Sequence, residues 1–247
     1  MGRMTRLLRP GAATFAVAIA LAGCSRPAAR EPEGPLVATP SPMSAVPSPL
    51  PSPATPAARS ARDGFFLSRE EGRELHREAR RRGMPPTGAL LVVDVARQRT
   101  ALVGKNGPVR EFAVSTSKFG TGSAPGSNRT PLGWHRVAER FGAGSAPGAV
   151  FVSRRATGRV VPPSQWHAPS PAEDLVLTRV LWLEGLEPGL NRGPGVDSHD
   201  RCIYLHGTNQ EQLLGSPASH GCIRLSNADA IRLFDLLEGE EAFCLIR

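Results

Sequence analysis

Residues 204–225 of the chain read YLHGTNQEQLLGSPASHGCIRL. Within them, Cys222 follows a glycine and precedes a β-prone run, and two histidines, His206 and His220, lie near it in the sequence. A thiol nucleophile needs an imidazole that accepts its proton, and flanking glycines let backbone N–H groups approach a developing oxyanion. This segment therefore indicates a cysteine nucleophile with a histidine base.

The two histidines differ in their geometric relation to the cysteine. His206 ends a predicted strand and can lie opposite the Cys222 loop, whereas His220 is only two residues away from Cys222. We therefore assign His206 as the general base, with the carbonyl of Gly207 as the group that orients its ring. Oxyanion stabilisation or structural support is assigned to three residues that precede the nucleophile: Ser219, His220 and Gly221.

Four polar residues of this segment are predicted to bind substrate. Arg224 is a permanent cation close to the nucleophile, which can lower the pKa of the thiol or bind a substrate carboxylate. The period of two in a strand places Cys202, Tyr204 and His206 on one face, where Tyr204 either lines a groove or is an ordinary half-buried aromatic. The other two predicted substrate-binding residues are Thr208 and Asn209.

Short β-prone runs separated by turns rich in glycine and proline dominate the chain from residue 87 onward, so we predict a mainly β fold with a few helices (α+β). The predicted strands are Ala89–Val95, Thr100–Val103, Val109–Ser115, Leu132–Val137, Ala149–Val152, Cys202–Leu205 and Ala242–Ile246.

Two helices are predicted among these strands and before them. The first, Ser68–Arg82, opens with a capping box, and its thin apolar face is typical of a solvated lid or spacer helix. The second is capped by Ser226, buries one face and ends at Gly239.

The N-terminal part of the chain has the features of an exported protein. Residues 1–23 combine arginines, a short apolar run and small residues, as a signal peptide does, and Leu21-Ala22-Gly23-Cys24 resembles the lipobox of bacterial lipoproteins. We expect lipid on Cys24, a proline-rich disordered tether over residues 24–62, a helical spacer over 63–86 and a catalytic domain over 87–247. The expected location is the membrane surface facing the cell wall, which is the periplasm in a Gram-negative host.

The net charge does not indicate a nucleic-acid partner. A charge of +8 and a pI near 10.5 are compatible with nucleic acid, a membrane surface or a polyanionic wall polymer. The basic residues are mostly arginines scattered among acids, and the sequence shows no basic stripe interleaved with aromatic residues. We therefore expect no nucleic-acid partner.

The motif His206-Gly207-Thr208, followed by Ser219-His220-Gly221-Cys222-Ile223-Arg224, resembles the signature of the L,D-transpeptidase catalytic domain of the YkuD type. Upstream, Val114-Ser115-Thr116 and Thr130-Pro131-Leu132-Gly133 resemble the substrate-groove strands of that family. The resemblance covers residues 87–247 and weakens between Pro162 and Asp200, where we expect a lid. It implies a sandwich-like β domain with the nucleophile on a loop at one end.

The same resemblance implies acyl transfer on peptidoglycan tetrapeptide stems, without a cofactor. Cys222 would attack the carbonyl of the third stem residue, the terminal D-Ala would leave, and a thioester would form. The amine of a diamino acid on a neighbouring stem would then complete 3–3 cross-linking in cell wall biogenesis. Water as the acceptor would make the enzyme an L,D-carboxypeptidase, and a protein lysine would make it a protein-attachment enzyme.

Two other classes of protein stay open, as does the state of the remaining cysteines. A zinc-dependent hydrolase would bind metal through residues chosen from His199, Cys202, His206, His220 and Cys222, although their spacing matches no regular zinc motif and we expect no metal. A wall-binding lipoprotein without activity is the third class. Cys202 and Cys244 are interpreted as core thiols or a disulfide pair, and four histidines as surface or capping residues: His76, His135, His167 and His199.

Overall fold

The computed structural model describes residues 65–85, 88–167 and 173–247. The predicted signal peptide, Cys24 and the tether lie outside the described residues, and the domain boundaries stay predictions. None of the helices within the described ranges has the length and apolar character needed to cross a membrane.

The described residues form two α-helices and ten strands. The helices are α1, Arg69–Arg81, and α2, Asn227–Leu236. The strands are β1, Ala89–Asp94; β2, Arg99–Gly104; β3, Gly107–Ala113; β4, Gly133–Phe141; β5, Ala149–Val152; β6, Arg155–Val160; β7, Val176–Gly185; β8, Tyr204–Gly207; β9, Ile223–Leu225; and β10, Ala242–Ile246. The predicted mainly β fold with a few helices is confirmed.

The ten strands form a single branched sheet. Its main path runs β3-β2-β1-β10-β4-β7-β5-β6, while β8 pairs with β7 and β9 pairs with β8. β7 therefore pairs with three strands, β4, β5 and β8. The branch of β8 and β9 is a parallel pair, and it carries the predicted catalytic motif.

The core beneath this branch fixes its position. The largest apolar cluster joins α2 to β8 and β9 through side chains that are at most 1% exposed, among them Leu205, Ile223, Leu225, Leu233 and Leu237. Full burial of each such side chain contributes roughly 2 kcal/mol. Helix α2 begins as predicted, because Oγ of Ser226 accepts a hydrogen bond of 3.0 Å from the N–H of Asp229. The predicted site thus stands on a rigid support.

Helix α1 packs on the sheet, so the interpretation of this helix as solvated was wrong. Its capping box is present, with Oγ of Ser68 accepting from the N–H of Glu71 at 3.1 Å and Glu71 accepting in return from the N–H of Ser68 at 2.8 Å. Leu75 and Ala79 are buried against side chains of β1, β2, β4 and β10. A thin apolar face suffices because two buried residues that flank the helix extend it, Leu67 and Met84.

Two strands, β6 and β7, were not predicted, and β7 occupies ten residues of the segment that was expected to be a lid. β7 lies within Pro162–Asp200, and its residues from Leu177 to Leu183 are all buried. A strand that is buried throughout shows no polar alternation, so its pattern resembles that of an irregular apolar segment. The fully exposed β6 shows no recognisable alternation either, whereas the three-residue β9 corresponds to the β-prone run that follows Cys222.

Two of the histidines interpreted as surface or capping residues are buried instead. Nε2 of His76 lies 3.0 Å from the carbonyl of Val103. The ring of His135 contacts the carbonyl of Gly133 and Oγ of Ser198, at 3.0 Å each. Burial lowers the pKa of His135 to about 4, so this histidine is a neutral part of the core.

Candidate active site

The parallel pairing of β8 with β9 brings Cys222 next to the motif that contains His206. Leu205 pairs with Ile223, and His206 pairs with Arg224, so the residue before β9 lies at the start of β8. The half-buried thiol of Cys222 donates to the carbonyl of Cys202 at 3.4 Å, and its sulfur accepts from the backbone N–H of Tyr204. The thiol of Cys222 is thus held by backbone groups of β8 and of the residues that precede it.

A tight turn before the nucleophile fixes its backbone. Oγ of Ser219 donates to the carbonyl of Cys222 at 2.6 Å and accepts from the N–H of Gly221 at 3.2 Å. Gly221 has a φ of 121°, a conformation that favours glycine. Because the N–H of Gly221 is already bonded to Ser219, the support role predicted for these two residues fits the geometry better than the oxyanion role.

His206 is buried on β8, and its ring is oriented by the neighbouring carbonyl. Nδ1 of His206 lies 2.7 Å from the oxygen of Gly207, the contact expected from the sequence. A carbonyl oxygen only accepts hydrogen bonds, so Nδ1 carries the proton and Nε2 presents a lone pair. This tautomer is the one that a general base requires.

Burial determines the charge of both reactive groups. Burial raises the pKa of the Cys222 thiol to about 11, although the Tyr204 N–H and the Arg224 cation act to lower it. Burial also lowers the pKa of His206 to about 4, and the Arg224 cation acts in the same direction. At neutral pH the resting site therefore holds a neutral thiol and a neutral imidazole, and no ion pair.

His220 and Arg224 share a carboxylate that the sequence did not single out. Nδ1 of His220 lies 3.1 Å from Oδ2 of Asp174, and the buried guanidinium of Arg224 binds the same oxygen. Arg224 also donates to Oε1 of Gln210 at 2.9 Å. Its cation is thus already paired, so a substrate carboxylate would have to displace Asp174 to reach it.

His220 faces solvent beside the nucleophile loop, unlike His206. Its side chain is 47% exposed, and its ring centroid lies 5.7 Å from that of Phe119. Its Nδ1 is directed to Asp174, and among the described residues no hydrogen bond joins its ring to the thiol of Cys222.

The other predicted substrate-binding residues are buried and bonded to protein groups. The hydroxyl of Tyr204 accepts from Arg154 at 3.1 Å, and Oγ1 of Thr208 accepts from the N–H of Gln210 at 3.1 Å. The amide of Asn209 donates to the carbonyl of Glu173 at 2.8 Å and accepts from the N–H of Leu175 at 3.1 Å. Asn209 therefore positions the segment that carries Asp174.

Both segments that were matched to substrate-groove strands contact the nucleophile loop. Ser115 and Arg224 exchange backbone hydrogen bonds of 3.0 and 2.9 Å. Oγ1 of Thr130 donates to the carbonyl of Gly221 at 3.0 Å and accepts from the N–H of Ser117 at the same distance. The backbone around Cys222 is thus held from three sides.

Cys202 lies outside the strands, contrary to the prediction. It precedes β8 with a φ of 55°, so the expected alternation of Cys202, Tyr204 and His206 on one face does not extend to it. Cys202, Cys222 and Cys244 are free thiols, so the disulfide alternative was wrong, and Cys244 is a core thiol in β10. Within the described ranges, no three His, Cys, Asp or Glu side chains are grouped to hold a metal ion.

Comparison with known proteins identifies a family and a set of similar folds. The model of the YkuD family, the L,D-transpeptidase catalytic domain, matches residues 88–241. A comparison with curated protein sequences finds no significant match.

Several solved structures of L,D-transpeptidases are similar to the chain at low identity. The protein from Mycobacterium smegmatis is 19% identical, with 65% of this chain and 58% of that chain covered and a TM-score of 0.37. The protein from Xylanimonas cellulosilytica is 20% identical, with coverages of 69% and 68% and a TM-score of 0.34. The protein from Enterococcus faecium is 15% identical, with coverages of 66% and 52% and a TM-score of 0.39. The chain thus spans less than two thirds of the first and the last of these proteins.

Proposed function

Because the chain belongs to the YkuD family of L,D-transpeptidase catalytic domains, we propose that it transfers acyl groups between peptidoglycan stem peptides through a thioester on Cys222. The observation that carries this proposal is the contact that orients the ring of His206. Its Nδ1 is bonded to the Gly207 carbonyl, which leaves Nε2 as a base on the strand beside the nucleophile.

In the acylation step, His206 accepts the thiol proton as the sulfur attacks the carbonyl of the third stem residue. Since the resting thiol is neutral, proton transfer and attack are coupled, and no standing thiolate is needed. The imidazolium then protonates the departing nitrogen of the terminal D-Ala, and a thioester remains on Cys222.

In the second step an acceptor amine takes the acyl group. Neutral His206 removes a proton from the amine as it attacks the thioester, and the thiol leaves with that proton. With the side-chain amine of a diamino acid on a neighbouring stem as the acceptor, the product is a 3–3 cross-link. Water or a protein lysine in the same position would give a carboxypeptidase or a protein-attachment enzyme.

Mass analysis of products tests this proposal. Purified protein is incubated with disaccharide tetrapeptide, and released D-Ala and cross-linked dimers are quantified. We expect both products from the wild type and from Cys244→Ala, whose thiol is buried in β10, and neither from Cys222→Ala. Release of D-Ala by Cys222→Ala would contradict the proposal, and D-Ala release without dimers would assign water as the acceptor.

We also propose that the protein is exported and anchored to a membrane through lipid on Cys24, facing the cell wall. The support is the lipobox-like sequence that ends at this cysteine. Metabolic labelling with a radioactive fatty acid should mark the wild type and leave Cys24→Ala unmarked. Equal labelling of both proteins would contradict the anchor.

A further inference from the structure

A turn between β5 and β6 places one arginine beside Cys202 and Tyr204, the two residues whose backbone contacts the thiol of Cys222. Ser153 and Arg154 both adopt positive φ, 46° and 68°, which is the geometry of a tight hairpin turn whose twist matches its strands. This conformation is uncommon for residues other than glycine. The hairpin maintains it, and the side chain of Arg154 lies over the residues that flank Cys222.

The guanidinium of Arg154 is held by three contacts. Its central carbon lies 4.0 Å from the ring centroid of Trp182. The ring of His199 stacks on the same Trp182 ring, with 3.6 Å between the ring centroids. Nη1 of Arg154 donates to the hydroxyl of Tyr204 at 3.1 Å and approaches Sγ of Cys202 at 3.7 Å. The arginine of a surface hairpin is therefore fixed in one position.

The guanidinium of Arg154 and the thiol of Cys222 contact the same two residues. Arg154 contacts the side chains of Cys202 and Tyr204, whereas the thiol of Cys222 contacts the carbonyl of Cys202 and the N–H of Tyr204. A fixed cation thus lies beside the two residues whose backbone contacts the attacking sulfur.

This cation has no acidic partner among residues 65–85, 88–167 and 173–247. Both of its hydrogen bonds use Nη1, and within these ranges Nε and Nη2 bond to no other group. The Nε and Nη2 edge of an arginine is the fork that binds a carboxylate through two parallel hydrogen bonds. By contrast, the guanidinium of Arg224 is already paired with Asp174.

We propose that Arg154 binds the terminal carboxylate of the donor peptide and so selects donors that end one residue beyond the bond that is cleaved. This inference rests on the proposed function. In such a donor the carboxylate carbon is two bonds beyond the amide nitrogen that leaves, so its charge lies close to the reacting carbonyl and on the side of the leaving group. A donor with an amide at this position, or with a further residue, presents no charge to Arg154.

A comparison of two donors tests the assignment. The rate constant kcat/KM is measured for a tetrapeptide with a free terminal carboxylate and for the same peptide with a terminal carboxamide. We expect the wild type to prefer the acid by roughly 10-fold or more, as a charge-assisted hydrogen bond implies. Arg154→Gln should bring the ratio close to one, mainly by raising KM for the acid.

Arg155→Gln is the matched control, because it removes the same charge from the next, exposed residue of the hairpin. It should keep the wild-type ratio. An unchanged acid preference in Arg154→Gln, or equal use of the two donors by the wild type, would overturn the assignment.

Equilibrium binding separates this inference from the proposed function. Calorimetry measures the affinity of the acid and the amide for Cys222→Ala, with and without Arg154→Gln. An acid preference that disappears with Arg154→Gln supports the carboxylate site even if turnover is absent, and an equal affinity for both peptides in Cys222→Ala contradicts it. D-Ala release by Cys222→Ala, in contrast, would overturn the proposed function and leave the Arg154 result to be judged by binding.

Discussion

At the scale of single residues, the site combines a raised thiol pKa with a lowered imidazole pKa. Both shifts have burial as their main cause, and together they keep the Cys222 and His206 pair neutral near pH 7. A resting ion pair between thiolate and imidazolium would require the opposite shifts. In the proposed mechanism the thiolate therefore forms only during attack.

The rate of alkylation by iodoacetamide reports the thiolate fraction of Cys222. Since the pKa of this thiol is about 11, we expect the rate to rise about tenfold per pH unit from neutrality to pH 10, without a plateau. Cys222→Ala provides the background from the other thiols. A plateau that is already reached at neutral pH would show a preformed ion pair and contradict the neutral resting state.

The proposed catalytic pair could be picked out in the sequence because it lies in a compact motif, whereas the partners of the site could not. His206, Gly207 and Cys222 are separated by short, recognisable spacings. Asp174 reaches Arg224 across 50 positions, and Arg154 reaches Tyr204 across 50 as well. Neither residue has a local pattern that distinguishes it from a surface charge, so only the fold reveals them.

At the scale of elements, α1 is the one whose interpretation changed most. The sequence shows its capping box and its charged face, but the apolar contacts with β1, β2, β4 and β10 depend on how the sheet is assembled. The sequence did not predict strand β7 for a related reason. Because the strand is buried, it lacks the alternation of polar and apolar residues by which strands are recognised. β1 to β5 and β10 were predictable as β-prone runs, and glycine or proline marks their boundaries except between β1 and β2, where residues 95–98 contain neither.

A substitution in α1 tests whether this helix stabilises the domain. Leu75 is 8% exposed and packs in the cluster beneath the helix, so Leu75→Ala should lower the free energy of unfolding by about 2 to 4 kcal/mol. The exposed Arg80→Ala on the same helix is the control and should change it by less than about 0.5 kcal/mol. Urea denaturation measures both. A small effect of Leu75→Ala would restore the interpretation of α1 as a solvated spacer.

At the scale of the whole molecule, the buried histidines connect stability to pH. Burial lowers the pKa of both His135 and His206 to about 4, whereas an unfolded histidine titrates near 6.5. Between these two values the unfolded chain binds more protons than the folded chain, so stability falls as the pH falls below about 6.5.

The size of this loss of stability depends on how far the pH lies below the pKa of an unfolded histidine. At about pH 5 each of the two histidines should lower the free energy of unfolding by about 2 kcal/mol relative to pH 7, because 1.5 pH units correspond to roughly 2 kcal/mol. Urea denaturation at the two pH values measures the loss, and His206→Gln should reduce it by about half. Equal stability of the wild type at pH 7 and pH 5 would show that these histidines are not buried in the neutral form.

The sequence predicted the fold class of the whole molecule and the strand that carries His206, but not the branching of the sheet. Branching arises because β7 pairs with β4, β5 and β8, and such pairing depends on contacts between distant segments. The branch is what places Cys222 beside β8 and the β5–β6 hairpin within reach of Tyr204. The carboxylate site proposed for Arg154 therefore depends on the order in which the strands pair.

The most direct test of the central claim is to identify the residue that carries the acyl group. The protein is mixed with tetrapeptide donor in the absence of an amine acceptor, quenched with acid and analysed by mass spectrometry after digestion. We expect the tripeptide acyl group on the peptide that contains Cys222, and no adduct in Cys222→Ala. An acyl group on Cys202 or on a hydroxyl side chain, or turnover without any adduct in Cys222→Ala, would contradict a thioester on Cys222.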